Sequence, residues 1–178
     1  MNKVLIIIDC QNDFLTGSLA IENTTHSSAA VFNICEQIKK WNGDIIVTKD
    51  THFKDDYKDT VEGKHIPTFH CIRETKGWDI NTYIQYALDK YFGKAGYSIC
   101  EKTGIGSLYL PSYLIKEYES IEICGFCTDI CVISNALILR ATFPNTPISV
   151  LSSCCAGTTP ENHQKALDIM EMNCIDII

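Results

Sequence analysis

Short hydrophobic runs alternate with amphipathic stretches along the chain, and this pattern predicts strands that alternate with helices. The clearest run, residues 3–9, is almost entirely aliphatic, as expected for a parallel strand that is buried on both faces. Residues 27–41 then have the hydrophobic spacing of a helix, and residues 44–48 are again a strand. These three segments predict one β–α–β unit.

The same alternation continues to the end of the chain. Further strands are predicted over residues 97–100, 121–124, 147–152 and 174–178, and further helices over residues 79–92, 111–118, 132–141 and 160–172. Six strands alternating with helices predict an α/β fold of three layers, αβα, in which a six-stranded, mostly parallel sheet is joined by right-handed crossovers.

Composition limits the class of protein and the kind of partner. The 178 residues are 46% hydrophobic, which suits one domain over residues 1–178 with a sizeable core. A formal net charge of −7 gives no long-range attraction to nucleic acid or to an anionic membrane, so a small molecule is the favoured partner. The apolar runs are far shorter than the roughly 20 residues of a membrane span, and the amino terminus lacks a signal-peptide cleavage site. We therefore expect a cytoplasmic protein.

Ten cysteines could indicate disulfides, but several lie in apolar segments, where a reduced cysteine acts as a small hydrophobic residue. Cys124 and Cys127 have the C-x-x-C spacing of a redox or zinc site. No second pair and no paired-histidine motif accompanies them. The sequence therefore disfavours both a redox pair and a zinc site at Cys124 and Cys127.

Cys131 is the cysteine whose position indicates chemistry. It follows a predicted strand that Gly125 ends, and Thr128 and Asp129 are residues that commonly cap a helix. Cys131 is therefore expected in the first turn of a helix. Unpaired backbone N–H groups and the helix dipole at that position favour a thiolate.

Polar residues also follow the other predicted strands. Ligands of open parallel sheets bind beyond the carboxyl ends of the strands. The residues expected there are Asp9, Asp50 with His52, Lys102 and Cys131. Each alone has an ordinary structural explanation, such as a cap or a solvated charge. A carboxylate, an imidazole, an ammonium and a thiol at one edge of a sheet together predict a reactive site.

The motifs that carry these residues resemble a known family over nearly the whole chain. They are D-x-Q-N-D-F at residues 9–14, D-x-H at 50–52, Lys102, G-x-x-T-D-x-C-V at 125–132 and P-E-N-H at 160–163. Together they resemble the isochorismatase-like cysteine hydrolases, in particular the nicotinamidase branch. The resemblance implies the isochorismatase-like hydrolase fold and a catalytic triad of Asp9, Lys102 and Cys131.

The resemblance also implies a reaction, the hydrolysis of nicotinamide to nicotinate and ammonia through a thioester on Cys131. Lys102 would favour the thiolate, and Asp9 would accept the thiol proton and return it to the leaving amine. A cis peptide bond between Phe126 and Cys127 is implied as well. The backbone N–H groups of Cys127 and Cys131 would then form the oxyanion hole.

A divalent metal site is implied beside the triad. Its expected ligands are Asp50, His52, Glu62 and His70, with His65 as the alternative to Glu62. Mixed oxygen and imidazole ligands suit zinc, with manganese or iron as alternatives. The ion is expected to orient the substrate, and no organic cofactor is needed.

The substrate is the part of the predicted function that the sequence determines least. Phe14, Phe69 and Phe126 are the expected substrate-binding residues, because an aromatic ring packs well against a flat substrate. The alternatives are hydrolysis of another small amide or N-carbamoyl compound, and a non-catalytic small-molecule-binding protein on the same fold. Cleavage of isochorismate, which does not need the cysteine, is less favoured because Cys131 is present. The resemblance further implies a homo-oligomer.

Overall fold

Parallel strands form a sheet through the centre of the molecule, for which a computed structural model describes residues 2–178. Within that range the strands are β1 (Lys3–Ile8), β2 (Asp44–Asp50), β3 (Ser98–Lys102), β4 (Ser120–Phe126), β5 (Ile148–Ala156) and β6 (Asp176–Ile177). Their order across the sheet is β3-β2-β1-β4-β5-β6, and each neighbouring pair is parallel. The predicted six-stranded sheet is confirmed.

Helices cover the sheet. They are α1 (Asn12–Leu15), α2 (Thr24–Lys40), α3 (Val61–His65), α4 (Thr82–Phe92), α5 (Ile133–Thr142) and α6 (Pro160–Met172). Helix α2 packs beside α4, and α5 packs beside α6. Because crossovers are right-handed and the strand order reverses between β1 and β4, these two pairs lie on opposite faces of the sheet. The predicted three-layer α/β architecture is therefore confirmed.

The core follows from the hydrophobic pattern of the elements. Residues 4–8 of β1 are fully buried, as a strand in the middle of a two-faced sheet requires. On α2 the buried positions Ala30, Ile34 and Ile38 recur every four residues and form one apolar stripe. The amide side chain of Asn23 caps this helix by accepting the N–H of His26 at 3.1 Å.

The helix predicted over residues 111–118 is wrong. The structure has only a short 3₁₀ turn, Leu110–Tyr113, at this point. Beyond it, Lys116 and Tyr118 both contact the carboxylate of Asp44, at 2.8 and 2.6 Å. These two contacts fasten the segment to the start of β2, and the chain bends at Lys116, inside the predicted helix, and again at Glu119.

The strand order also places the crevice in which such folds bind ligands. It lies at the carboxyl edge of the sheet, where the order reverses between β1 and β4. Asp9 directly follows β1, and Cys131 lies in the turn that follows β4.

No helix within residues 2–178 combines the length and the apolar character that crossing a membrane requires.

Candidate functional site

The turn after β4 holds Cys131 at the edge of a cavity. Residues Thr128–Val132 form one π turn, in which the carbonyl of Cys127 accepts the N–H groups of Ile130 and Val132, each at 3.1 Å. Such turns are rare and occur frequently at functional sites. The thiol is buried, with 5% of Cys131 exposed, and it reaches the cavity from a backbone that hydrogen bonds hold in place.

Thr128 and Asp129 do not cap the following helix, so that expectation is wrong. The hydroxyl of Thr128 lies 2.8 Å from Nδ1 of His163. The carboxylate of Asp129 accepts the backbone N–H of Thr158 at 2.8 Å and also its hydroxyl. Thr128 is thus turned towards α6 and Asp129 towards the loop before α6, and both side chains hold the Cys131 turn from outside.

The structure brings Asp9, Lys102 and Cys131 together around one ammonium. Nζ of Lys102 lies 2.7 Å from Oδ2 of Asp9 and 3.6 Å from the sulfur of Cys131. It also donates hydrogen bonds to Oδ1 of Asp50 at 3.2 Å and to the carbonyl of Gly104 at 3.0 Å. All three triad residues are at least 95% buried, so water screens these charges little.

Burial shifts the proton affinities within this cluster. It raises the pKa of the Cys131 thiol well above its usual value; Lys102 opposes the increase, and Asp9 adds to it. Burial therefore opposes the thiolate that Lys102 favours, and the thiolate form of Cys131 stays a prediction. Burial also raises the pKa of Asp9, although Lys102 lowers it. Burial alone would lower the pKa of Lys102, but the neighbouring negative charges raise it well above its usual value.

Asp9 presents one carboxylate oxygen to the thiol side of the cluster. Its Oδ1 accepts the hydroxyl of Thr48 at 2.6 Å, and the same hydroxyl oxygen accepts the backbone N–H of Asp9 at 3.1 Å. Its Oδ2 lies 2.7 Å from Nζ of Lys102, which is the shortest contact of that ammonium. Asp9 also has a φ of 45°, a left-handed conformation that is uncommon for residues other than glycine and is enriched at functional sites.

The D-x-Q-N-D-F motif contains two positioning residues that the sequence alone did not reveal. The side-chain amide of Gln11 accepts the N–H of Asp50 at 2.7 Å and donates to its carbonyl at 2.8 Å. Asp13 accepts the N–H of Cys71 at 2.7 Å, directly beside His70. The motif therefore ties the end of β1 to the segments that carry the predicted metal ligands.

The four predicted metal ligands converge. One donor atom from each of Asp50, His52, Glu62 and His70 lies within 4.8 Å of all the others. Oδ2 of Asp50 is 2.9 Å from Nε2 of His52 and 3.4 Å from Nε2 of His70. Oε1 of Glu62 is 3.5 Å from both ring nitrogens. His65, the alternative third ligand, lies on the exposed side of α3 with Nδ1 3.0 Å from the carbonyl of Val61.

This donor set fits a divalent ion. Nδ1 of His70 lies 3.0 Å from the carbonyl of Thr68 and 3.1 Å from the hydroxyl of Tyr57, which leaves Nε2 to face the cluster. Burial lowers the pKa of His52 and of His70, but the carboxylates of Asp50 and Glu62 outweigh it and raise each pKa to about 9. Two carboxylates that stabilise two imidazolium ions in this way would stabilise a divalent cation for the same electrostatic reason.

A cavity of about 210 Å³ joins the thiol to the metal-ligand cluster. This is below the roughly 300–1,000 Å³ typical of drug-sized ligands, so it suits a small substrate. Its polar lining residues are Asp50, Glu62, His70, Cys127, Cys131 and Thr158, and its apolar lining residues are Phe14, Leu19, Ile66, Ile105 and Ile130.

Of the three phenylalanines expected to bind substrate, only Phe14 lines this cavity. Phe69 instead packs against Tyr57, with ring centroids 5.7 Å apart, and lies under the ammonium of Lys58. Phe126 is fully buried at the end of β4. Phe69 and Phe126 therefore lie outside the lining of this cavity, and only Phe14 stays a candidate for contact with the substrate there. The aliphatic part of the lining was missed because it comes from loops whose paths depend on tertiary packing.

The predicted oxyanion residues line the same cavity as Glu62. The peptide bond between Phe126 and Cys127 is cis, as the resemblance implied. Cys127 and Cys131 both line the cavity. Their backbone N–H groups remain the candidates for oxyanion donors.

Comparison with known proteins agrees with this architecture. The family model described as the isochorismatase domain matches residues 3–178. A nicotinamidase/pyrazinamidase of Mycobacterium tuberculosis is 25% identical over 192 residues, covering 99% of this chain and 98% of the relative.

Solved structures give the same picture. The chain is similar to the pyrazinamidase/nicotinamidase of Streptococcus mutans, with a TM-score of 0.85, 25% identity and coverage of 99% and 100% of the two chains. It is also similar in fold to the pyrazinamidase of Pyrococcus horikoshii in complex with zinc, with a TM-score of 0.80, 21% identity and coverage of 100% and 99%.

Proposed function

Because the chain belongs to the isochorismatase domain family, we propose that it is a cysteine-dependent amidohydrolase that converts nicotinamide to nicotinate and ammonia. The family resemblance predicted from the motifs is confirmed, and so is the enzyme class, a nicotinamidase-like hydrolase. The cysteine mechanism and the substrate are our proposal.

The observation that carries the mechanism is the contact of one buried ammonium with both a carboxylate and a thiol. Nζ of Lys102 is 2.7 Å from Asp9 and 3.6 Å from Cys131. An ammonium at this position stabilises negative charge as it moves from the carboxylate to the sulfur. Such preorganised stabilisation in a site that excludes water accounts for much of enzymatic rate enhancement.

In the proposed reaction, Oδ2 of Asp9 accepts the S–H proton of Cys131 as the sulfur bonds to the amide carbon. The backbone N–H groups of Cys127 and Cys131 stabilise the oxyanion. The carbon–nitrogen bond then breaks, and ammonia leaves with the proton from Asp9, which yields a thioester. Water then gives a proton to Asp9 as its oxygen bonds to the thioester carbon. The carbon–sulfur bond breaks, the sulfur takes the proton back from Asp9, and the acid is released. The raised pKa of Asp9 suits a group that must accept and return a proton.

A divalent ion held by Asp50, His52, Glu62 and His70 would supply a Lewis-acidic binding point for a lone pair of a substrate bound in the cavity. We propose zinc, with manganese or iron as alternatives, because the similar Pyrococcus horikoshii pyrazinamidase is in complex with zinc. A cytoplasmic location and a homo-oligomeric state stay predictions.

Ammonia release from a panel of compounds tests the proposed function. The panel comprises nicotinamide, pyrazinamide and N-carbamoyl compounds, with pyruvate release from isochorismate followed in parallel. We expect nicotinamide to have the highest kcat/KM. Faster hydrolysis of an N-carbamoyl compound would replace the proposed substrate. Absence of turnover across the panel in the metal-loaded protein would favour a small-molecule-binding protein.

A further inference from the structure

The proposed mechanism makes no use of Asn135, a fully buried amide in the first turn of α5. Its Oδ1 accepts the backbone N–H of Ser107 at 3.0 Å. Its Nδ2 donates to the carbonyl of Cys131 at 2.8 Å and to the carbonyl of Ile105 at 3.3 Å. Asparagine is a poor helix former, and the three hydrogen bonds of this buried side chain offset that cost.

The partners of Asn135 belong to two segments that are distant in sequence. One is the Cys131 turn, and the other is the loop of residues 103–109, which directly follows Lys102. The loop contains Gly104, whose carbonyl accepts the Lys102 ammonium, and Gly106. Two glycines give the loop high backbone freedom. A Cβ at Gly106 would lie 2.9 Å from the side chain of Ile138, so the loop is pressed closely against α5.

We propose that Asn135 is a positioning residue that fastens the loop after Lys102 to the turn that carries Cys131. Without it, the Gly104 carbonyl no longer fixes the ammonium beside the sulfur, and the side chain of Ile105 no longer keeps its place in the cavity wall. A displacement of about 1 Å in a reacting group can cost about 10²-fold in rate. This inference rests on the proposed function for its kinetic part only.

The test uses the metal-loaded full chain with Asn135→Ala, and with Asn135→Thr, which retains one hydroxyl and more of the side-chain volume. Thr142→Ala is the matched control, because Thr142 on the same helix also donates to the carbonyl four residues before it, that of Ile138, at 2.8 Å. Hydrogen–deuterium exchange over residues 103–109 measures how firmly the loop is held, whatever the substrate. Steady-state kinetics on nicotinamide, or on whichever amide is turned over, measure the effect on the reaction.

For Asn135→Ala we expect faster exchange in the loop and a fall in kcat of about tenfold or more, with a smaller change in KM. Asn135→Thr should fall between the parent and the alanine variant, and Thr142→Ala should match the parent in both measurements. Parental exchange and parental kcat in either folded Asn135 variant, with only a lower unfolding temperature, would overturn the proposal. If the parent hydrolyses no amide, the proposed function fails, and the exchange measurement still decides whether Asn135 holds the loop.

Discussion

Two clusters meet at the carboxyl edge of the sheet, and the chain holds them in different ways. The reactive cluster consists of Asp9, Lys102 and Cys131, and the metal-ligand cluster consists of Asp50, His52, Glu62 and His70. The reactive cluster is placed by the sheet, because Asp9 and Lys102 are at strand ends and Cys131 is in the turn directly after β4. In the metal-ligand cluster only Asp50 ends a strand. Glu62 lies on the short helix α3, in the long connection between β2 and α4.

Asp50 joins the two clusters. Its Oδ1 accepts a hydrogen bond from Lys102 at 3.2 Å, while its Oδ2 lies 2.9 Å from His52. The strand ends and the turn after β4 are therefore enough to bring the reactive cluster together. The metal-ligand cluster needs a long connection to be in place, and a bound ion would stabilise that connection as well as the donor atoms. The two clusters should accordingly respond differently to substitution.

The largest expected effect is that of Cys131→Ala, which removes the proposed nucleophile and leaves the metal-ligand cluster intact. We expect turnover to be abolished, because the whole covalent pathway depends on the sulfur. The bound metal and the unfolding temperature should change little, because the sulfur is small and no metal ligand is altered. Ammonia release and elemental analysis measure both effects. Retention of more than a few per cent of parental activity would contradict the nucleophile assignment.

Asp9→Asn should cost roughly 10²-fold or more in kcat, as the loss of a general acid–base residue does. The amide occupies the same volume beside Thr48 but cannot accept the thiol proton. Metal content should again stay near the parental value. A near-parental kcat in a folded Asp9→Asn protein would leave Asp9 with only a structural role.

The part of this site that the sequence predicts best is the part placed by strand ends. Asp9 follows a buried apolar run, Asp50 ends one, and Lys102 ends the short strand β3; parallel strands must bring their carboxyl ends to one edge. The alternation of strands and helices along the chain is enough to place all three there. Glu62 is different, because only the resemblance to a family pointed to it.

The sequence predicts side-chain direction in loops poorly. His70 turns into the metal-ligand cluster, and its neighbour Phe69 consequently faces the other way, against Tyr57. Ile105 and Ile130 reach the cavity only because their loops fold back over it. Neither position shows a local pattern that would have indicated a substrate wall.

Glu62→Ala and His65→Ala form a matched pair on the same short helix, and they test which side chain completes the metal site. Substitution of residues that merely support a ligand weakens metal binding by about 10–100-fold, so loss of the Glu62 ligand should cost at least as much. His65→Ala should leave the affinity unchanged, because its ring points to the carbonyl of Val61. Competition with a chromogenic chelator measures both. Weaker binding in His65→Ala with parental binding in Glu62→Ala would reverse the assignment.

The smallest expected effect concerns the cavity wall, and it separates Phe14 from Phe69. Phe14 lines the cavity, and its ring centroid lies 5.8 Å from that of His70, so it is placed to pack against a flat substrate held near the metal ligands. Phe14→Leu keeps most of the apolar volume and removes the planar face. Aromatic pairs contribute about 0.5–1.5 kcal/mol beyond the area they bury, so KM for nicotinamide should rise by about two- to tenfold. Phe69→Leu should leave that KM unchanged, because its ring packs outside the cavity against Tyr57.

An aliphatic amide is the control substrate. If it is turned over at all, both substitutions should change its KM equally little. A larger rise in KM from Phe69→Leu than from Phe14→Leu would mean that the substrate approaches from the Tyr57 side and not through the wall that Phe14 forms.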